Sequence, residues 1–271
     1  MGCQCTKDNG SNTDIDLRQV KDDQNPFAHQ PTHQSQHNNN QKDIKKPDTR
    51  TRTQIFEDHL PMKYLSLAEW VHLVDKASGD EGSPSISAQQ ILTGLRVLSN
   101  PAREKDLLGN DSIFFQILRD SFLLRLDKES PLLSKRALIT WGLLYCSGTI
   151  DEKVRTFYTL VQEGNNERIA YDDKDFGPVF NLMLDFSIKL VNTFEPRLQP
   201  QEQQPQLDAQ FLLKFESVKD QLQEDFIDAL FGANSILTRE QYVGELVERT
   251  EFHWLFKAQT VALRVSSYVN K

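Results

Sequence analysis

From Ile55 onward, apolar residues recur at positions i, i+3, i+4 and i+7, the stripe of an amphipathic helix. SLAEWVHLVDKA, SAQQILTGLRVLS, SIFFQILRDSFLLRL and SKRALITWGLLYC each carry it. So do TIDEKVRTFYTLVQ, FGPVFNLMLDFSIKLVNTF, FLLKFESVKDQLQEDFIDALF, TREQYVGELVERT and FHWLFKAQTVALRV. Strand-type alternation is scarce, so the spacing predicts an all-α body. Ser66, Ser87, Ser134, Thr149 and Thr238 stand where N-caps belong, and Thr238 with Gln241 forms a candidate capping box. The Pro/Gln-rich stretch 196–210 interrupts the pattern and reads as a linker. The helical body therefore divides into 56–195 and 211–271.

Residues 1–55 lack this pattern. HQPTHQSQHNNNQKD is polar and of low complexity, with too little apolar surface to offset the entropy of ordering. The expectation is a disordered tether. If it behaves as a flexible coil, its reach is on the order of 40 Å. Its first residues, MGCQCTK, fit N-myristoylation: the acyl chain goes on the free amine of Gly2, and Thr6 fills the Ser/Thr position. One myristoyl chain anchors marginally, and Cys3 and Cys5 are palmitoylation candidates that supply a second signal. Lys42, Lys45, Lys46, Arg50 and Arg52 form a basic cluster, worth about 1 kcal/mol per residue close to an anionic membrane surface. His29, His33 and His37 read as part of a polar tract rather than as metal ligands.

Charge sharpens the division. The whole chain of 271 residues carries −8, yet its first 55 residues hold eight Lys or Arg against seven Asp. The acidic body disfavours nucleic acid as a partner. No stretch approaches the roughly 18 apolar residues of a spanning helix, and the three cysteines do not make a disulfide framework. There is no Gly-rich phosphate loop, G-x-S-x-G, H-E-x-x-H or C-x-x-C. His59, His72 and His253 sit in no recognisable motif, and Asp172–Asp173 reads as solvated loop. Nothing asks for an enzyme or a cofactor.

The helices fall in pairs around loops of about twelve residues, each with one aliphatic residue: Ile86, Leu133, Ile169 and Ile236. Together with Gly148, Asp151, Glu152, Lys153, Phe157 and Asp173 in the third pair, this resembles the EF-hand superfamily, of calcineurin B and neuronal calcium sensor type. N-terminal myristoylation is also a feature of that family. A second resemblance, carried by Trp254-Leu255-Phe256 after the last pair, is to the helical part of TLDc-domain proteins. The resemblance implies paired EF-hand-like helix-loop-helix repeats, three before the linker and a fourth after it. An EF-hand loop needs oxygen ligands at positions 1, 3, 5 and 12. Counted from the aliphatic residue, the loops offer Gly79, Glu81, Ser83 and Gln90; Leu126, Lys128, Ser130 and Ala137; Gln162, Gly164, Asn166 and Asp173; and Ala229, Phe231, Ala233 and Glu240. Asp173 and Glu240 are the residual loop acids, and the expectation is that no metal binds.

Such a scaffold still offers packing. Phe114, Phe115, Phe122, Trp141, Tyr145, Phe157 and Tyr158 are candidates for core or groove, with core the more frequent fate of aromatics at helical spacing. Phe157, Tyr158, Trp254 and Phe256 are the partner-groove candidates. The last apolar helix either closes that groove itself or docks a partner. Cys146 reads as a buried small residue. The function expected is a non-catalytic adaptor at the cytoplasmic face of a membrane, bound to inner-leaflet lipids and to a partner's amphipathic helix without calcium. The alternatives are a calcium sensor with one weak surviving site and a structural component of a cytoskeletal or ciliary assembly.

Overall fold

The computed structural model describes residues 51–79, 83–98, 106–127, 129–162, 167–198 and 209–270. It is mostly helical, as the periodicity predicts. The helices are α1 (Arg52–Glu57), α2 (Leu67–Ser78), α3 (Ala88–Leu98), α4 (Ile113–Asp120), α5 (Lys135–Tyr145), α6 (Ile150–Val161), α7 (Phe176–Asp185), α8 (Ala209–Phe231), α9 (Arg239–Glu248) and α10 (Ala258–Val269). Helix α7 continues through a π-helical turn, Phe186–Leu190, into Val191–Phe194. The Ser187 hydroxyl donates to the Met183 carbonyl at 2.9 Å there, and the Tyr145 hydroxyl donates to the Phe186 carbonyl at 3.1 Å. These bonds reach into the stretch where the regular i→i−4 ladder is interrupted.

Local chemistry sets the helix starts. All five Ser and Thr residues predicted as caps act as caps. Ser66 with Glu69, Thr149 with Glu152 and Thr238 with Gln241 form complete capping boxes. Ser87 and Gln90 exchange the same reciprocal bonds, and Ser134 accepts from the Ala137 N–H. Thr51 with Gln54 adds a box four residues ahead of the expected boundary at 55. The ordered body therefore includes α1, whose Phe56 is buried.

Two short antiparallel ribbons tie the loops together. In the first, β1 (Ser85–Ile86) pairs with β2 (Leu133–Ser134), with Ile86 opposite Leu133. In the second, β3 (Arg168–Ala170) pairs with β4 (Ile236–Thr238), with Ile169 opposite Leu237. Here the structure corrects the sequence reading. The residue facing Ile169 is Leu237, which is buried, whereas Ile236 is about half exposed. Two adjacent aliphatics in a short strand point to opposite faces, and the pairing decides which goes inward.

Residues 48–271 form one unit with a continuous core. One aromatic cluster centres on Trp141 of α5. It stacks on Phe114, with ring centroids 5.5 Å apart, and meets Trp70 of α2 edge-on at 6.4 Å. Gly142 allows this approach, since a Cβ there would lie 2.2 Å from Trp70 Cδ1. A second cluster joins α6, α7, α8 and α9 through Phe157, Phe176, Phe180, Phe226 and Tyr242. The first and fourth helix pairs are thus parts of the same body, and the stretch 199–208 of the expected linker lies outside the described residues.

Candidate functional site

The lipidation candidates Gly2, Cys3 and Cys5, and the basic residues Lys42, Lys45, Lys46 and Arg50, lie outside the described residues. Arg52 is described, and it is not a free surface cation. Its Nε donates to the fully buried Glu195 carboxylate at 2.8 Å, and its Nη1 to Asn192 Oδ1 at 2.9 Å. These bonds fasten α1 to the end of the α7 stretch. Arg52 therefore has a structural role in holding α1 to the body.

The loops can be inspected for cation chemistry. With Leu237 as the inward aliphatic, the fourth loop shifts by one residue, and its last ligand position falls on Gln241 instead of Glu240. Gln241 is occupied as a cap: its Oε1 accepts from the Thr238 N–H at 2.9 Å. Gln90 does the same for Ser87 in the first loop, at 2.8 Å. Glu240 is exposed on the first turn of α9, where a carboxylate suits the helix dipole. Asp173 is the one loop-ending acid left. Its Oδ2 accepts from Gln162 Nε2 at 3.3 Å, and its Oδ1 from the Asp175 N–H at 3.0 Å. Gln162 also donates to the Arg168 carbonyl at 3.0 Å. The first and last positions of this loop therefore hold each other through an amide. Gly164 and Asn166 lie outside the described residues. Among the described residues, no group of three or more His, Cys, Asp or Glu is placed to hold a metal ion.

The groove candidates fare differently. Phe157, Tyr158 and Phe256 are buried, and Trp254 is partly buried against the core. Phe157 packs on Phe256 at 5.6 Å, and Tyr158 on Tyr242 at 5.5 Å. The 3₁₀ segment Thr250–Phe256 inserts Phe252 against Phe226 at 5.0 Å and sets Trp254 edge-on to Phe180 at 6.1 Å. Lys153, nearly buried, donates to the Phe256 carbonyl at 2.9 Å and fixes the end of this segment. The chain's own C-terminal segment thus fills this apolar wall: Phe157, Tyr158 and Phe256 are buried, and Trp254 borders a small cleft of about 140 Å³. The sequence reading allowed for this closure as one of two outcomes.

An open apolar groove of about 550 Å³ lies elsewhere. Its walls are the 3₁₀ turn Phe122–Leu124, the end of the α7 stretch (Leu190, Thr193, Phe194) and the start of α8 (Leu212, Leu213). Phe122 and Leu213 are 70% and 73% exposed, unusual for large apolar side chains. At one corner, Lys189 and Lys219 face Asp185 and Glu216, and charge balances. At another corner it does not. Asp120 accepts from Arg119 Nε at 2.6 Å and Nη2 at 3.0 Å, and from Arg197 Nη1 at 3.3 Å. Arg197 also donates to Gln116 Oε1 at 3.0 Å and lies over the Phe194 ring. Arg125 donates to the carbonyls of Arg119 and Ser130. Arg119 and Arg197 thus share one carboxylate. Their hydrogen bonds hold the Asp120 carboxyl below its ordinary pKa, with Arg119 the largest cause.

The sequence places Phe122 among the core-or-groove aromatics but carries no signal for Leu213 or for the meeting of Arg119 and Arg197. Leu212 and Leu213 are adjacent on a helix and cannot share one inward face. Arg119 and Arg197 are 78 positions apart in sequence, and nothing local signals their meeting. Among the described residues, no helix is long and apolar enough to cross a membrane. Compared with known proteins, the chain matches no family model, no curated protein and no solved structure.

Proposed function

We propose that this protein is a membrane-anchored, non-catalytic adaptor, built on paired EF-hand-like units that work without calcium and presenting a groove to a partner's helix. The observation that carries the reading is the pairing of loops. Ile86 faces Leu133 and Ile169 faces Leu237 across two ribbons, while glutamines cap the helices at two loop ends where cation-binding carboxylates would belong. A divalent ion loses its hydration on binding, and such loops return too little negative charge to offset that cost. The exposed groove at Phe122 and Leu213 supports the adaptor part, because helix recognition uses apolar side chains entering such a concavity. The anchor rests on Gly2, Cys3 and Cys5 in the sequence.

Two measurements test the reading. Gly2→Ala is expected to abolish fatty-acid labelling and move the protein from membranes to the soluble fraction; unchanged localisation with no label in either form contradicts the anchor. Phe122→Ser is expected to remove partner capture by the intact acylated protein while leaving the circular dichroism unchanged. Asp173 keeps alive a second reading, a sensor with one weak site. A calcium titration by calorimetry separates the two: heat with micromolar affinity favours the sensor, and no heat favours the adaptor.

A further inference from the structure

We infer that α1 is a proton-controlled strap: it is clamped to the body while Glu57 carries a proton, and it opens locally, ahead of the rest of the fold, once Glu57 is ionised. This goes beyond the adaptor reading and does not depend on it. Six residues are too few to persist as a helix alone in water, so α1 exists by docking. Two contacts hold it. Phe56 is fully buried and meets Tyr145 edge-on at 5.9 Å, and Arg52 reaches Glu195 and Asn192. Against them stand two atoms, one at each end of the helix. Arg52 Nη2 and Glu57 Oε1 are buried with no hydrogen-bond partner among the described residues. Water satisfies both once α1 lifts away, so each subtracts from the gain of docking. The packing under the strap is also incomplete. A cavity of about 280 Å³ lies beside Arg52 and Thr53, walled in part by Ile188, Val191 and Ala262.

Of the two atoms, only the carboxylate can shed its charge, because a guanidinium stays protonated. Every element around Glu57 contributes to that choice. Burial is the largest influence and favours the neutral acid. Lys257 ahead of α10, Lys63 of the turn Pro61–Tyr64 and Lys153 of α6 favour the ionised form, and Asp58 opposes it. Two of these lysines are engaged elsewhere: Lys63 pairs with Asp58, and Lys153 donates to the Phe256 carbonyl. On α5, the Tyr145 hydroxyl donates to the Phe186 carbonyl, and burial keeps it protonated. On the α7 stretch, Glu195 is taken by Arg52. The outcome is a Glu57 carboxyl raised above 4.5 in the docked helix. An opened α1 returns it to the ordinary value. Docking is therefore strongest below pH 4.5 and weakens as pH rises through the docked value.

The test is amide hydrogen exchange of the full chain, purified unacylated, at about pH 5 and about pH 7.5, with protection corrected for intrinsic exchange. Peptides covering α1 are expected to be less protected than those of α5 and to lose protection at the higher pH beyond any change in α5. Glu57→Gln, a neutral isostere, should lift α1 at the higher pH to its level at the lower one and remove the dependence. Lys257→Gln removes a charge that favours the ionised form, so it should deepen the loss at the higher pH. Because Lys257 is exposed, this second variant carries the test if Glu57→Gln does not fold. Protection of α1 equal to that of α5 at both pH values overturns the inference, since nothing then opens locally. A loss that persists in Glu57→Gln belongs instead to His59, whose ring bonds the Ile55 carbonyl at the end of α1, and also overturns it. So does a loss that Lys257→Gln leaves unchanged.

Discussion

Gly142 shows how one residue fixes a helix pair. Trp70 is held by a bond from Nε1 to the Leu138 carbonyl at 2.8 Å, so its ring cannot withdraw from a new Cβ. Gly142→Ala is expected to cost about 1–3 kcal/mol by overpacking, despite the better helix propensity of alanine. Urea unfolding checks this; an unchanged midpoint would mean that Trp70 is free to move. Glu57 makes the opposite case. Its Oε1 is buried without a hydrogen-bond partner, and burial raises its carboxyl pKa above 4.5, an effect opposed by Lys257, Lys63 and Lys153. A folded pKa above the unfolded one means stabilisation that is full below pH 4.5 and lost as pH rises through the folded value. At pH 7 the ionised form is a burden. Glu57→Gln is expected to equal or exceed the parent in stability at pH 7 and to lose that advantage below pH 4.5; a clear loss at pH 7 would mean that the carboxylate has a partner.

At the scale of elements, the caps and the helices were readable because their causes are local. A serine or threonine three positions before Glu or Gln satisfies the same backbone donors in any fold. What was not readable depended on pairing. Choosing Leu237 over Ile236 needed the register with Ile169, and moving the last loop position from Glu240 to Gln241 followed from it. Periodicity leaves Phe157 open as core or groove, with core favoured, and its burial depends on Phe256 of the C-terminal segment packing on it. That closure carries a prediction. A chain ending at Arg249 would expose Phe157, Phe180 and Phe226, which Phe252, Trp254 and Phe256 now cover. Strong binding of an apolar dye such as ANS, with loss of near-ultraviolet dichroism, is expected. Native-like dichroism without dye binding would show that the wall closes by itself.

For the whole molecule, we propose lipids at the amino terminus, a body that folds without metal, and an apolar groove at Phe122 and Leu213. Arg52 marks the boundary between sequence and structure. It stands at the end of a basic run in the sequence, yet its guanidinium reaches Glu195, 143 residues away. No charge count foretells that bond. Metal independence is the claim on which the others lean, and thermal unfolding in excess chelator against excess calcium tests it most directly. A site that binds only the folded state at one hundred times its dissociation constant adds about 2.7 kcal/mol. For a body of this size that amounts to a rise of several degrees in Tm. The account predicts that the two curves superimpose. A rise of that size in calcium, removed by chelator, would contradict it.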